Sequence, residues 1–171
     1  MKKLVLSILV MLCVGSISAQ QKLGHVNSDS LLTKMPSRQK AILSLQKFEE
    51  DGYKELQEME ADFNKSVAFY EANQATYSPV IKKIEEEKLR KKSAGMEERQ
   101  QSLSTELQAV SQDLNKPILG RVQQAIEIVA DRKKLSYVFD KSVALYTKGG
   151  IDVTAEVLVE LLILDAASTP K

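Results

Sequence analysis

The strongest strand character in this 171-residue chain lies in YVFDKSVALY, residues 137–146. Its two apolar runs flank DKS and predict two short β-strands around a tight turn. One other segment is comparable, KLGHV at residues 22–26, more than a hundred residues earlier. A two-stranded hairpin alone is marginal in water, so these strands need partners. The sequence therefore predicts one small sheet that is interrupted by a long excursion of the chain.

The excursion has the pattern of two long helices. Apolar side chains recur at heptad positions over residues 36–70, which is typical of a helix that packs along one seam. The pattern then breaks, and Ser78 and Pro79 have the residue types of a helix cap and a first helical position. Two long helices joined by a short link should lie antiparallel. We therefore predict a helical arm over residues 36–117, about 55 Å long at the usual rise per residue.

Two pairs of residues fall at matching distances from the predicted tip near Ala75. Pro36 and Pro117 are 39 and 42 residues away, and because proline interrupts helical hydrogen bonding we interpret them as the base of the arm. Gly52 and Gly95 are 23 and 20 residues away and are candidate hinge residues, since glycine weakens a helix. The alternative is that each glycine is a tolerated defect.

The residues beyond the arm are predicted to complete a head. Residues 118–134 carry a broad apolar stripe that requires a larger packing partner than one helix. After the KGG turn, Asp152 is predicted to cap a last helix that covers a face of the sheet. The fold class is thus α+β, with a small β-barrel or sheet head formed by residues 20–35 and 118–171 and the helical hairpin inserted between its strands. Exposed strand edges favour self-association of the heads.

The first nineteen residues have the pattern of a secretory signal peptide. Lys2 and Lys3 precede an apolar run over residues 4–14, and SISAQ places cleavage after about Ala19. This run is too short to span a membrane. Cys13 would be removed with the signal, and lipid attachment at this cysteine is the alternative. The sequence therefore predicts an exported protein that folds without disulfides.

The charge balance argues against two classes of partner. Without Lys2 and Lys3 the chain carries 22 basic and 23 acidic side chains, so neither nucleic acid nor an anionic membrane is expected to bind strongly. Charged residues make up 27% of the chain and tryptophan is absent. This composition is typical of long solvated helices rather than of a compact globule.

Residue types that carry catalysis or bind metals are sparse. The one histidine, His25, lies in a predicted strand, where a surface or sheet-packing role is expected. The EEE run at residues 85–87 points in several directions around a helix, so it cannot converge on one ion. The sequence after the signal contains neither a cysteine nucleophile nor a glycine-rich phosphate loop. We predict no enzyme activity, no cofactor and no metal site.

KLGHVNSDSLLTKMP at residues 22–36, a long charged hairpin and LSYVFDKSVALYTKGGIDVTAEVLVEL at residues 135–161 together resemble the Skp/OmpH family of periplasmic chaperones. The resemblance implies a homotrimer whose strands build a central β-barrel head, with three arms around an open cavity. It also implies an ATP-independent holdase that shields unfolded outer-membrane proteins in the periplasm. Family members can be strongly basic, whereas this chain is nearly neutral. Electrostatic capture and lipopolysaccharide binding are therefore not carried over, and no residue is assigned to lipopolysaccharide.

Two functions are consistent with such an arm. A holdase needs scattered, weak apolar contacts, because a tight grip would prevent release. A structural coiled-coil spacer or adaptor of the cell envelope needs a continuous apolar stripe for its fixed partner. Isolated apolar side chains beside the predicted seam favour the holdase and are our candidate client-binding residues, although they could instead widen the seam. They are Phe48, Tyr53, Val67 and Phe69.

Overall fold

The computed structural model describes residues 22–168, which form a small head and a long arm of two helices. The predicted signal peptide and Cys13 lie outside the described residues. The head contains β1 (Leu23–Val26), α1 (Ser28–Thr33), β2 (Tyr137–Asp140), β3 (Ile151–Asp152) and α4 (Thr154–Ser168). The arm contains α2 (Pro36–Asn73) and the first part of α3 (Pro79–Lys133), with a 3-10 turn between them (Gln74–Thr76).

The two arm helices lie where the sequence places them. The Ser78 side chain accepts a hydrogen bond from the backbone N–H of Ile81, and Pro79 takes the first helical position of α3. Both residues act locally. The Ser78 hydroxyl satisfies a free N–H of the first turn, and Pro79 has no backbone N–H that would be left without a partner. The predicted start of the second helix is therefore confirmed.

Pro117, which we interpret as marking the base of the arm, lies inside a continuous helix. Helix α3 continues through Pro117 to Lys133, and Ile118 and Val122 beyond it are buried in the head. A proline inside a helix costs about 3 kcal/mol. Burial of the apolar stripe that follows offsets this cost, so α3 belongs to both the arm and the head.

The sheet differs from the predicted one. Its order is β2-β1-β3, and β1 pairs in parallel with both neighbours, Leu23 opposite Tyr137 and Gly24 opposite Ile151. The predicted hairpin within residues 137–146 is wrong, since β2 is followed by a 3-10 turn and the VALY segment forms no strand. The cause is local, because the Asp140 side chain accepts the N–H of Ser142 at 2.8 Å and turns the chain away.

The hydrophobic core lies between the sheet and helices α1, α3 and α4. His25 is also buried, within the sheet, with its Nε2 atom 3.5 Å from Asp152 Oδ2. The Asp152 carboxylate accepts the N–H of Thr154 at 2.9 Å, at the start of the predicted last helix. The core side chains are Val26, Leu31, Met35, Ile118, Val122, Ala125, Val129, Val153, Val157 and Leu161.

Two carboxylates at the carboxyl ends of the strands stabilise the head in their ionised form. A hydrogen bond from Ser28, joined by others from Ser142, lowers the pKa of Asp140. Hydrogen bonds from Thr154 lower the pKa of Asp152. A carboxyl group with a lowered pKa stabilises the fold above its unfolded pKa of about 4, and this contribution is lost as pH falls through the folded pKa.

We therefore expect the melting temperature to fall as pH drops below about 4, and to fall less steeply in the double variant Asp140→Asn, Asp152→Asn. Circular dichroism melts at closely spaced pH values measure the two slopes. Asp131→Asn, at an exposed position on α3, is the control and should keep the wild-type slope. Equal slopes for wild type and the double variant would contradict the prediction.

Candidate binding surface of the helical arm

Gly52 lies where the two arm helices pack against each other. This residue is buried, and a Cβ atom added there would overlap the side chain of Leu103, which is itself 2% exposed. Glycine has no Cβ, so it permits this close approach of a helix backbone to a leucine. Gly52 is therefore a packing residue of the seam between α2 and α3.

The two candidate hinge glycines do not face each other. Gly52 lies against Leu103, eight residues beyond Gly95, while a Cβ at Gly95 would meet no atom within 4 Å. The contacts Gly52–Leu103 and Tyr70–Glu86 centre the pairing of the two helices near residue 78 rather than at Ala75. The expected joint of two glycines at one level is thus absent from the described arm, and bending at either glycine stays a prediction.

Polar links between α2 and α3 run along the arm. They are mostly solvent-exposed, so each adds little to the stability of the arm. The hydrogen bond that Tyr70 donates to Glu86 at 2.7 Å raises the pKa of Tyr70 to about 12, so this phenol remains a donor at physiological pH. The other links join Lys92 to Asp62 at 2.5 Å and Arg99 to Glu55 at 2.9 Å.

Exposed apolar side chains lie near both ends of the arm. At the base they are Ile42, Leu43 and Leu119, and Tyr53 is exposed on the shaft. At the distal end, the exposed fractions are 64% for Phe69 and 69% for Val80, with Ile81 and Ile84 beside them. The apolar surface is therefore divided into separate patches. We call Phe69, Val80, Ile81 and Ile84 the distal patch.

The distal patch is set among charged side chains. Val80 and Ile84 line an open groove of ≈ 560 Å³ together with Lys83, Glu87, Lys88 and Lys91. Phe69 lines a second groove, of ≈ 360 Å³, with Lys65, Lys88 and Lys92 among its neighbours. Both grooves are open to solvent, so they can contact apolar side chains of a partner without enclosing them.

The four candidate residues from the sequence divide into two pairs. Tyr53 and Phe69 are exposed, whereas Phe48 and Val67 are half-buried. The half-buried pair fits the alternative role, in which these side chains widen the seam between the helices. Ile81 and Ile84 were missed, because their spacing also fits the seam of the heptad pattern. The structure shows both side chains about half exposed, near the distal end of the arm.

The described residues contain neither a metal-binding cluster nor a membrane-spanning helix. Within residues 22–168, His, Cys, Asp and Glu side chains nowhere form a group of three or more that could hold a metal ion. Of the helices in this range, none combines the length and apolar character needed to cross a membrane. The arm thus offers its partners dispersed apolar contacts and charged flanks.

Comparison with known proteins identifies a matching family and several relatives of this chain. The sequence pattern of the OmpH-like outer membrane protein family matches residues 22–161. Chaperone protein Skp of Pectobacterium atrosepticum is 28% identical over 160 residues, covering 90% of this chain and 93% of that protein. Chaperone protein Skp of Photorhabdus laumondii is 24% identical over 148 residues, covering 85% and 90%.

The crystal structure of an OmpH-like protein from Caulobacter crescentus CB15 has the same fold. It superposes with a TM-score of 0.75 at 16% identity, covering 88% of this chain and 87% of that one. The family pattern spans β1, both arm helices, β2, β3 and the first half of α4. The chain therefore belongs to the OmpH-like outer membrane protein family.

Proposed function

We propose that this protein is a periplasmic chaperone for outer-membrane proteins, acting as an ATP-independent holdase that prevents their aggregation. Its relatives of similar length are named chaperone protein Skp. The observation that carries the proposal is the division of exposed apolar surface on the arm into separate patches, with the charged shaft between them. A fixed docking partner would require a continuous stripe.

Weak contacts suit the proposed clients. Strands of outer-membrane barrels alternate apolar and polar residues, so an unfolded barrel protein exposes dispersed apolar side chains. Each contact with a half-exposed side chain such as Phe69 or Val80 contributes about 1 kcal/mol or less. The larger apolar burial in the membrane exceeds the sum of such contacts, so the client can be released without nucleotide hydrolysis.

We further propose a homotrimer assembled through the heads, residues 20–35 and 118–171, with the arms of residues 36–117 around a shared cavity. Support comes from the apolar outer side of the head. Tyr137 and Phe139 stack on each other with ring centroids 6.1 Å apart, and both are about half exposed. Leu145 and Tyr146 project into solvent from the loop that follows. Such a surface on a small head favours self-association.

The holdase is tested by diluting a urea-unfolded barrel protein and following turbidity. A threefold molar excess of subunits of the chain without its signal peptide should suppress aggregation. The triple variant Phe69→Ser, Val80→Ser, Ile84→Ser should protect several-fold less well, because it removes most of the distal patch. The control variant Ala61→Ser, Ala68→Ser, Ala94→Ser changes three exposed alanines of the arm and should protect like wild type.

The outcomes separate the two functions. Failure of wild type to suppress aggregation would exclude the holdase and favour a spacer or adaptor of the cell envelope. Equal protection by the triple variant would move client binding away from the distal patch. Because the whole chain is nearly neutral, protection should change little between low and moderate salt. A steep loss of protection with salt would keep the holdase but refute capture by weak apolar contacts alone.

A further inference from the structure

A buried carboxylate joins the head to the base of the arm. Val157, Leu161 and Asp165 follow one another at four-residue steps on the buried face of α4, so Asp165 occupies a position where the pattern calls for an apolar residue. Its side chain is 3% exposed. A buried charge is costly to desolvate and contributes little net stability. Its presence at this position therefore calls for a role other than packing.

The partners of Asp165 belong to two other helices. Its Oδ2 atom accepts the backbone N–H of Ser37 at 3.0 Å, and its Oδ1 atom lies 3.2 Å from Nε of Arg121. Arg121 closes the cluster by donating from Nη2 to the Ser37 hydroxyl at 3.0 Å. We call Asp165, Ser37 and Arg121 the clasp. It joins the start of α2, the head portion of α3 and the last turns of α4.

The clasp also supplies a missing helix cap. Met35 precedes α2 at the N-cap position and makes no side-chain cap hydrogen bond. A carboxylate from a different helix satisfies a free N–H of the first turn instead, where the helix dipole favours negative charge. The first turn of α2 is thereby fixed in place relative to α3 and α4.

We propose that Asp165 is a positioning residue that stiffens the arm. Bending two packed helices requires one to slide along the other. The turn at residues 74–78 prevents sliding at the tip, and the clasp prevents it at the base. Releasing the clasp frees the start of α2 to slide against α3, so the arm bends more easily. In the proposed holdase this stiffness limits how far the client cavity can widen, a consequence that rests on the proposed function, whereas the stiffness itself does not.

Two variants separate the clasp from simple packing. Asp165→Asn keeps the shape but removes the charge that pairs with Arg121. The double variant Asp165→Leu, Arg121→Met extends the apolar stripe of Val157 and Leu161 and removes both charges, so it releases the clasp without leaving a buried charge unpaired. Glu160→Gln is the matched control, because Glu160 pairs with Arg132 at 2.8 Å and links α4 to α3 without touching α2.

The experiment uses the chain without its signal peptide, in which Cys13 is absent, with spin labels at Ala61→Cys on α2 and Ala155→Cys on α4. Labelled chains are diluted with unlabelled ones, so that the distances measured lie within one chain. Both Asp165 variants should broaden the distance distribution, and amides of the first turn of α2 should exchange with deuterium about tenfold faster. The melting temperature of Asp165→Leu, Arg121→Met should not fall, since both members of the buried pair are replaced by apolar side chains.

Three results would overturn the proposal. The first is an unchanged distance distribution in both Asp165 variants. The second is an equal broadening in Glu160→Gln, which would mean that any loss of an ion pair on α4 loosens the arm. The third is a distance distribution that broadens only in variants whose melting temperature also falls. This result would mean that Asp165 acts through the stability of the fold alone. None of these readouts involves a client, so they are independent of whether the holdase test succeeds.

Discussion

Replacing Leu145 and Tyr146 together with aspartate is expected to dissociate the proposed trimer into monomers. The side chain of Leu145 is completely exposed and that of Tyr146 is 77% exposed, so the fold of one chain does not depend on them. Each such side chain contributes about 1.5–3 kcal/mol when it is fully buried in an interface. Their replacement by charged groups removes this gain and adds a desolvation cost, three times over in each trimer.

Sedimentation analysis at micromolar concentration measures the effect. The helical circular dichroism signal should stay at the wild-type value, because the substituted side chains lie outside the core. The control variant Phe69→Asp, Val80→Asp changes equally exposed apolar side chains of the distal patch and should remain trimeric. A monomeric wild-type protein, or a trimeric Leu145→Asp, Tyr146→Asp variant, would show that the heads do not assemble in this way.

Replacing Gly52 with alanine is expected to destabilise the arm, although alanine is the better helix former by about 1 kcal/mol. The added Cβ would overlap Leu103, so that side chain must leave its position or the helices must separate. Overpacking of this kind costs about 1–3 kcal/mol. At Gly95 the same substitution meets open space, so Gly95→Ala should raise the melting temperature.

Thermal and urea unfolding followed by circular dichroism measure the change in stability, which should be negative for Gly52→Ala and positive for Gly95→Ala. Leu103→Ala alone should destabilise by about 2–5 kcal/mol, as expected for a buried leucine. Combined with Gly52→Ala it should cost less than the sum of the single changes, because the new methyl group occupies the space that the leucine leaves. Stabilisation by Gly52→Ala equal to that of Gly95→Ala would return Gly52 to the status of a tolerated defect.

Most of the arm could be predicted from the sequence, because its determinants are local. The heptad spacing, Ser78 and Pro79 act within one or two helical turns of themselves. The remaining features depend on burial and on competition between local signals. Pro117 weakens a helix, but burial of the residues after it keeps α3 continuous. VALY has strand propensity, but the Asp140 side chain turns the chain before a second strand can return.

The candidate surface was predictable only in part, for a similar reason. Spacing places Ile81 and Ile84 on the seam, and it cannot show that about half of each side chain remains exposed there. Asp165 can be recognised in the sequence as a carboxylate four residues after Leu161, where the spacing of Val157 and Leu161 calls for an apolar residue. Its partners Ser37 and Arg121 come from 128 and 44 residues earlier, and no local rule brings them together.

The central position of β1 in the sheet has a consequence for how the protein is made. Strand β1 is synthesised first, yet both of its neighbours follow more than a hundred residues later. Closing such a long loop in a free chain is slow, so the sheet forms faster if the helices between its strands pair before the strands meet. Helices α2 and α3 contact each other locally and can pair first, bringing Ser37 and Arg121 side by side. The arm then folds early and brings β2 next to β1. Until α3 is complete, β1 therefore has no partner strand within its own chain.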